Sequence, residues 1–322
     1  MAFAVSSVPL YGLLHVASDH GAHANLRAGA ADPIDVYLKC AALCAASVEA
    51  AGSTFTLVTN DMARLETRRA ALGLSGPRIV ARDFVWPVPR GIAFYSAHYK
   101  LELIEAFGAG AYGERVGLID VDALLTSPFA LPSLTDEALA VYDITAIESA
   151  SYGAARVRAD LETVAGRPLT DPRWYGGEFI LGAAGAFMAL FEHVRACWAR
   201  YEAAIGDLHH VGDEMIVSAA LNLARADGMK LLNADQPGGV ARWWTARTDA
   251  PIPPFSAIAD RSLLHLPADK EFLAAYPAAG FDGARFLSGF RAYAARKLFA
   301  RRLVNVGAAL LGRGRKHVAR LS

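Results

Sequence analysis

Arg115-Val116-Gly117-Leu118-Ile119-Asp120-Val121-Asp122-Ala123-Leu124-Leu125-Thr126-Ser127-Pro128-Phe129 joins an apolar run to two carboxylates one residue apart. Val116–Ile119 reads as a buried strand, and Asp120-Val121-Asp122 closes it. Open α/β sheets bind ligands beyond the carboxyl ends of their strands. Two acids placed there can share a divalent cation, and Mg2+ or Mn2+ suits carboxylates together with phosphate oxygens. Such a cation neutralises charge on a departing diphosphate. The plainer alternative is a pair of solvated acids in a strand-to-loop turn.

Working outward, the spacing predicts strands at Tyr11–Val16, Thr54–Thr59 and Arg78–Ala81, with helices at Val36–Ala51, Arg64–Leu72 and Tyr99–Phe107 between them. Gly73, Gly76-Pro77, Gly108 and Gly110 interrupt the pattern where elements should end. Strand and helix in alternation argue for an α/β fold around a mainly parallel, doubly wound sheet. Further on, Leu139–Ile144, Phe179–Leu181, Lys230–Leu232, Val240–Thr245 and Leu263–Leu266 read as strands, and Phe187–Ala204 and Asp213–Ala226 as helices. No internal repeat or linker divides the chain. The reading is one catalytic domain over residues 1–282, followed by a basic amphipathic helical tail over 283–322.

Phe94-Tyr95-Ser96-Ala97-His98-Tyr99-Lys100-Leu101-Glu102-Leu103 precedes the Asp120-Val121-Asp122 strand by one helix. This block resembles the GT-A glycosyltransferases, especially the glycogenin-like family and its bacterial relatives. The resemblance implies a GT-A fold, with Asp120 and Asp122 holding Mn2+ or Mg2+ on a nucleotide-diphosphate sugar and Lys100 facing the nucleotide side. As a residue alone, Lys100 could equally be a solvated helix lysine.

Three later segments follow the same family order. Trp174-Tyr175-Gly176-Gly177-Glu178-Phe179-Ile180-Leu181-Gly182 looks like the acceptor-side strand, with Tyr175 where the family carries Asn. Gly176 and Gly177 permit close backbone approach to a ligand, or else mark a turn or bulge. His209-His210-Val211-Gly212-Asp213-Glu214 opens a helix, and Asp213 there could simply be its N-cap. The resemblance instead puts Asp213, with Glu214 beside it, near the transferred sugar. His209 and His210 read as surface histidines. Leu263-Leu264-His265-Leu266-Pro267-Ala268-Asp269-Lys270 resembles the family's late His…Lys segment, without its glycine and with different spacing. The resemblance makes His265 the third metal ligand and Lys270 a partner of the diphosphate. Asp19 and Asp83, past the first and third strands, stand at the edge where base and ribose would lie, or are turn residues. Trp243-Trp244 reads as buried core.

Apolar residues make up 54% of the 322, which excludes a disordered chain. Formal net charge is zero, yet the ten Lys/Arg from Arg285 to Arg320 have no acid among them, leaving 22 basic against 32 acidic residues before them. Basic residues alternate there with Phe286, Leu287, Phe290, Tyr293, Leu298, Phe299, Leu303 and Val304. The pattern fits a helix on an anionic membrane surface, or one packed on the domain with a solvated basic face. No recognition motif accompanies the charge, which argues against nucleic acid. Cys40, Cys44 and Cys197 form no zinc or disulfide pattern; Cys40 and Cys44 read as small core residues. No apolar run is long enough to span a bilayer. These features predict a cytoplasmic protein, peripheral on the inner face of the membrane.

The function expected is transfer of a hexosyl group from a nucleotide-diphosphate sugar, UDP-linked, to a glycan or lipid-linked acceptor in envelope or polysaccharide synthesis. The glycogenin-like resemblance implies retention at the anomeric carbon. Two alternatives stay open: a binding module of the same fold that has lost catalysis, and a phosphatase with an Asp-x-Asp nucleophile.

Overall fold

A computed structural model describes residues 2–4, 8–17, 32–132, 134–246 and 253–310. In chain order, β1 (Ala2–Ala4) and β2 (Leu10–Leu13) lead to α1 (Pro33–Ala50), β3 (Phe55–Thr59), α2 (Met62–Ala71) and β4 (Arg78–Ala81). A short 3-10 helix, Tyr95–Tyr99, runs into α3 (Lys100–Gly108), followed by β5 (Arg115–Ile119), β6 (Ala123–Leu125), β7 (Ala130–Pro132) and β8 (Ala138–Asp143). Then come α4 (Thr145–Tyr152), α5 (Ala154–Ala165), β9 (Tyr175–Ala183), α6 (Ala184–Ala204) and α7 (Asp213–Ala226). The chain continues through β10 (Lys230–Asn233), β11 (Val240–Arg242), β12 (Leu263–His265), α8 (Lys270–Ala275) and α9 (Gly283–Leu310).

The main sheet has seven strands in the order β10-β8-β9-β5-β2-β3-β4. All neighbours are parallel except β9, which runs antiparallel to both β5 and β8. β3 is buried at every position, as a central parallel strand should be. β2 stops at Leu13, short of the expected Val16. There the Asn60 side chain accepts from Val16 N at 2.7 Å and donates to Val16 O at 3.0 Å, replacing the sheet ladder at the ligand-facing edge.

A second sheet of three strands, β11-β12-β6, carries the residues that complete the site. β6 directly follows Asp122, and β12 pairs with it antiparallel so that His265 lies opposite Ala123. α1 sits between the two cores: Leu38, Ala41, Cys44 and Val48 join the main cluster, while Val36, Cys40 and Leu43 join Leu124, Leu264 and Trp243. Its start is fixed by Asp32, which accepts from Ile34 N at 3.0 Å, and by Pro33 in the first turn.

The prediction overlooked α4, α5 and α8. Gly153, at φ 87°, separates α4 from α5. The expected Val240–Thr245 strand ends at Arg242, after which Trp243 enters the second core and meets Phe255 and Phe290 edge-on. α9 packs its first turns into this core through Phe286, Phe290 and Ala294, whereas Phe299, Leu303 and Val304 stand exposed. Among the described residues, no helix is long and apolar enough to cross a membrane.

Candidate functional site

Seven segments deliver charged side chains to one region at the carboxyl end of β5. Asp120 leaves β5 opposite β9, its N–H bonded to Glu178 O at 3.3 Å. The β6–β12 pairing brings His265 against Asp122, and Leu266 N donates to Asp122 O at 3.1 Å. His265 Nε2 lies 3.2 Å from Asp122 Oδ1 and 3.6 Å from Asp120 Oδ2. One ligand atom from each of Asp120, Asp122 and His265 falls within 4.8 Å of the others.

Two buried lysines flank this triad. Lys100, at the start of α3, places Nζ 2.7 Å from Asp120 Oδ1 and 3.0 Å from Asp213 Oδ2, and donates to Gly177 O at 3.0 Å. It is no solvated helix lysine. Lys270, opening α8, sets Nζ 2.5 Å from Asp122 Oδ2 and donates to Pro267 O at 2.7 Å. Asp213 does not cap α7: the N-cap is Gly212, and the Asp213 carboxylate turns to Lys100.

The paired glycines are explained by space and not by positive φ. A Cβ on Gly176 would lie 2.0 Å from Glu178 Oε2, and one on Gly177 would lie 2.5 Å from Asp213 Oδ2. Both fall where β9 shifts register against β8, between the Val141–Ile180 and Asp143–Tyr175 pairs. The bulge brings the backbone itself into the site.

Glu178 and Arg242 belong to the site and were not singled out from the sequence. Glu178 is fully buried; Arg242 Nε donates to its Oε1 at 2.7 Å and a terminal nitrogen to its Oε2 at 2.6 Å. The same guanidinium contacts Glu214 Oε1, which also accepts from Gly177 N at 3.2 Å, while Glu214 Oε2 accepts from Trp174 Nε1 at 3.2 Å. Glu214 is thus committed to ordering β9. The available signal was a charged residue inside an otherwise apolar strand, since such residues are buried only when paired.

Electrostatics follow from burial and charge balance. Desolvation opposes ionisation of Asp122, but Lys270 and His265 hold its carboxyl well below the usual range. Burial raises Asp120 despite Lys100. Desolvation alone would lower His265; Asp122 and Glu178 outweigh it and raise the imidazole to about 9. Arg242 keeps Glu178 and Glu214 ionised against their burial. Among the described residues, Asp120, Asp122, Glu178, Asp213 and Glu214 face three permanent cations, Lys100, Arg242 and Lys270. Without a cation the protonated His265 offsets part of this excess; a divalent cation that took the imidazole as a neutral ligand would balance the remaining two negative charges. Two carboxylates and an imidazole are donors for a divalent cation, and Glu178 Oε1, 3.3 Å from His265 Nδ1, stands behind the ring where ligating histidines are usually backed. The residues present therefore fit the ion.

Other expected positions fare differently. Asp83 is exposed just past β4, the edge strand, and takes part in none of the cluster's bonds. Asp19 lies outside the described residues. His209 and His210 are not surface histidines: His209 N and Nδ1 lie 2.8 and 2.6 Å from Asp160 Oδ2, and His210 stacks on Phe94 at 5.4 Å beside Trp174. Their neighbours come from α5 and from the segment before α3, so adjacent residues could not reveal them. Glu148, in α4, is a further buried acid; its carboxylate makes no hydrogen bond or ion pair among the described residues. Burial, and then the charge of Glu214, raise it to about 7.

The mixed α/β architecture, a mainly parallel central sheet flanked by helices, is that of the GT-A fold. Of known structures, the galactosyltransferase LgtC in complex with donor and acceptor sugar analogs superposes with a TM-score of 0.50 at 14% identity, covering 87% of this chain and 100% of that one. An active-site mutant of LgtC gives 0.49 at 16% identity, over 88% and 95% of the two chains. No family model matches the sequence, and no curated protein matches it.

Proposed function

We propose that the chain is a metal-dependent glycosyltransferase that moves a sugar from a UDP-linked donor to an acceptor hydroxyl of an envelope or polysaccharide glycan. The observation that carries this reading is the convergence of Asp120, Asp122 and His265 within 4.8 Å, flanked by two buried lysines. Asp120, Asp122 and His265 would hold Mn2+ or Mg2+, which supplies charge neutralisation to the leaving diphosphate. Lys270 adds an ammonium on the Asp122 side, where preorganised positive charge stabilises the diphosphate as it departs. Lys100 bridges Asp120 and Asp213 and so fixes the distance between the metal side and the sugar side. Asp213 is the carboxylate left to meet sugar hydroxyls, because Glu214 is saturated by Arg242, Gly177 and Trp174. The likeness to LgtC, a galactosyltransferase solved in complex with donor and acceptor sugar analogs, supports a sugar donor and a glycan acceptor here.

A thermal-shift screen of nucleotide-diphosphate sugars with and without Mn2+ tests the reading. A UDP-sugar should raise the melting temperature only when the cation is present, and Asp122→Asn should remove both that shift and transfer. Hydrolysis of simple phosphomonoesters with no response to any nucleotide sugar would favour the phosphatase alternative. Binding without turnover across a broad acceptor panel would favour the inactive module.

The cytoplasmic membrane face is part of the proposal. The distal half of α9 carries exposed Phe299, Leu303 and Val304 among Arg296, Arg301 and Arg302, a combination that suits anionic bilayers. Removing residues 298–322 should abolish binding to vesicles containing anionic lipid while leaving donor binding in place. Unchanged vesicle binding would refute the attachment.

A further inference from the structure

Asp269 is fully buried beside Lys270, yet its carboxylate does not pair with that lysine. Oδ2 accepts from Thr245 N at 2.9 Å, and Oδ1 from the Thr245 hydroxyl, from Tyr293 OH at 3.1 Å and from Lys297 Nζ at 2.7 Å. Lys297 Nζ also donates to Tyr293 OH at 2.8 Å. Tyr293 in turn stacks on Phe272 of α8 at 4.5 Å. One carboxylate thereby ties α9 to the segment after β11 and to the turn that launches Lys270.

A buried carboxylate needs a cation. If Lys297 were absent, the next ammonium along the chain would be that of Lys270, and Asp269 would compete with Asp122 for it. On the reading that Lys270 meets the donor diphosphate, we propose that Lys297 and Tyr293 of α9 are positioning residues: by satisfying Asp269, they leave the Lys270 ammonium facing Asp122 and the diphosphate. The tail helix is then a working part of the donor site.

The test compares UDP with UMP, since only the diphosphate presents the second phosphate to Lys270. Isothermal titration with Mn2+ is run on the full-length chain and on Lys297→Met, Lys297→Arg, Lys270→Met and the Lys270→Met/Lys297→Met double variant. Lys297→Met should weaken UDP binding about tenfold or more, as loss of alignment at a site commonly does, with UMP binding little altered. Lys297→Arg should restore it, and the double variant should be no worse than Lys270→Met. Tyr293→Phe, which removes a single hydroxyl, should move the UDP-to-UMP ratio in the same direction by less, and it serves if Lys297→Met fails to fold. Equal loss of UDP and UMP, no loss of either, or an additive double variant would overturn the inference. A wild-type chain that binds no UDP would instead overturn the donor reading itself.

Discussion

Glu178 stands directly behind His265: its Oε1 lies 3.3 Å from Nδ1, on the ring edge away from the nitrogen that faces Asp122 at 3.2 Å. A carboxylate there would favour a proton on Nδ1 and leave Nε2 as the ligand once a cation displaces the second proton. Glu178→Gln keeps the shape and removes the charge. It should lower Mn2+ affinity about 10–100-fold, read by direct titration of the cation. Affinity within twofold of wild type would mean that Glu178 serves Arg242 alone.

Arg242 links Glu178 and Glu214, both of which burial would otherwise keep from ionising. Arg242→Met leaves two uncompensated carboxylates, and breaking such a buried network costs about 3–5 kcal/mol. Chemical denaturation should show the loss as a lower midpoint. A cost under about 1 kcal/mol, as for an exposed pair, would show that solvent reaches the cluster freely.

Gly177 has no room for a methyl group: a Cβ would meet Asp213 Oδ2 at 2.5 Å, Glu214 Cγ at 3.2 Å and Lys100 Nζ at 3.3 Å. Gly177→Ala must push Asp213 off Lys100. Transfer should fall by roughly 10²-fold, the scale of an ångström of misplacement, with a much smaller change in melting temperature. Undiminished transfer would detach Asp213 from the reaction.

Glu148 carries a pH signature. Burial, and then the Glu214 charge, raise its folded pKa to about 7 from the ordinary 4.5. Below pH 4.5 both the folded and unfolded chains hold this proton, so the group is neutral to stability. Between pH 4.5 and 7 the unfolded chain has released it and the folded chain has not, so stability falls as pH rises. The full penalty, on the order of 3 kcal/mol, is reached above pH 7. Glu148→Gln should therefore match wild type near pH 4 and exceed it at pH 8 in urea unfolding. Parallel stability profiles for the two would place the Glu148 carboxyl in water.

The sequence made legible what depends on local pattern. The α7 boundaries, Asp213–Ala226, are as expected, because a glycine precedes the helix and its apolar face repeats cleanly. Val116–Ile119 differs from β5 by one residue. The side chains of Lys100, Asp120, Asp122, Asp213, His265 and Lys270, each picked out from its own short segment, do converge on one cluster. What stayed hidden depends on partners remote in the chain. Glu178 is intelligible only beside Arg242 and His265, Asp269 only beside Lys297, and His209 only beside Asp160. α4 and α5 were missed because Gly153 splits one weakly amphipathic stretch into two short helices.

The β6–β12 pairing has a bearing on how the protein is made. It joins parts of the chain far apart, with the Thr126 hydroxyl reaching Arg261 O across 135 residues at 3.0 Å. Contacts of such separation form late, after the loop between them has been closed. A nascent chain that has already exposed Asp120 and Asp122 still lacks His265 and Lys270. Half-synthesised protein therefore carries no assembled cluster, and the site closes only once the chain has been made past Lys270 and β12 has paired with β6.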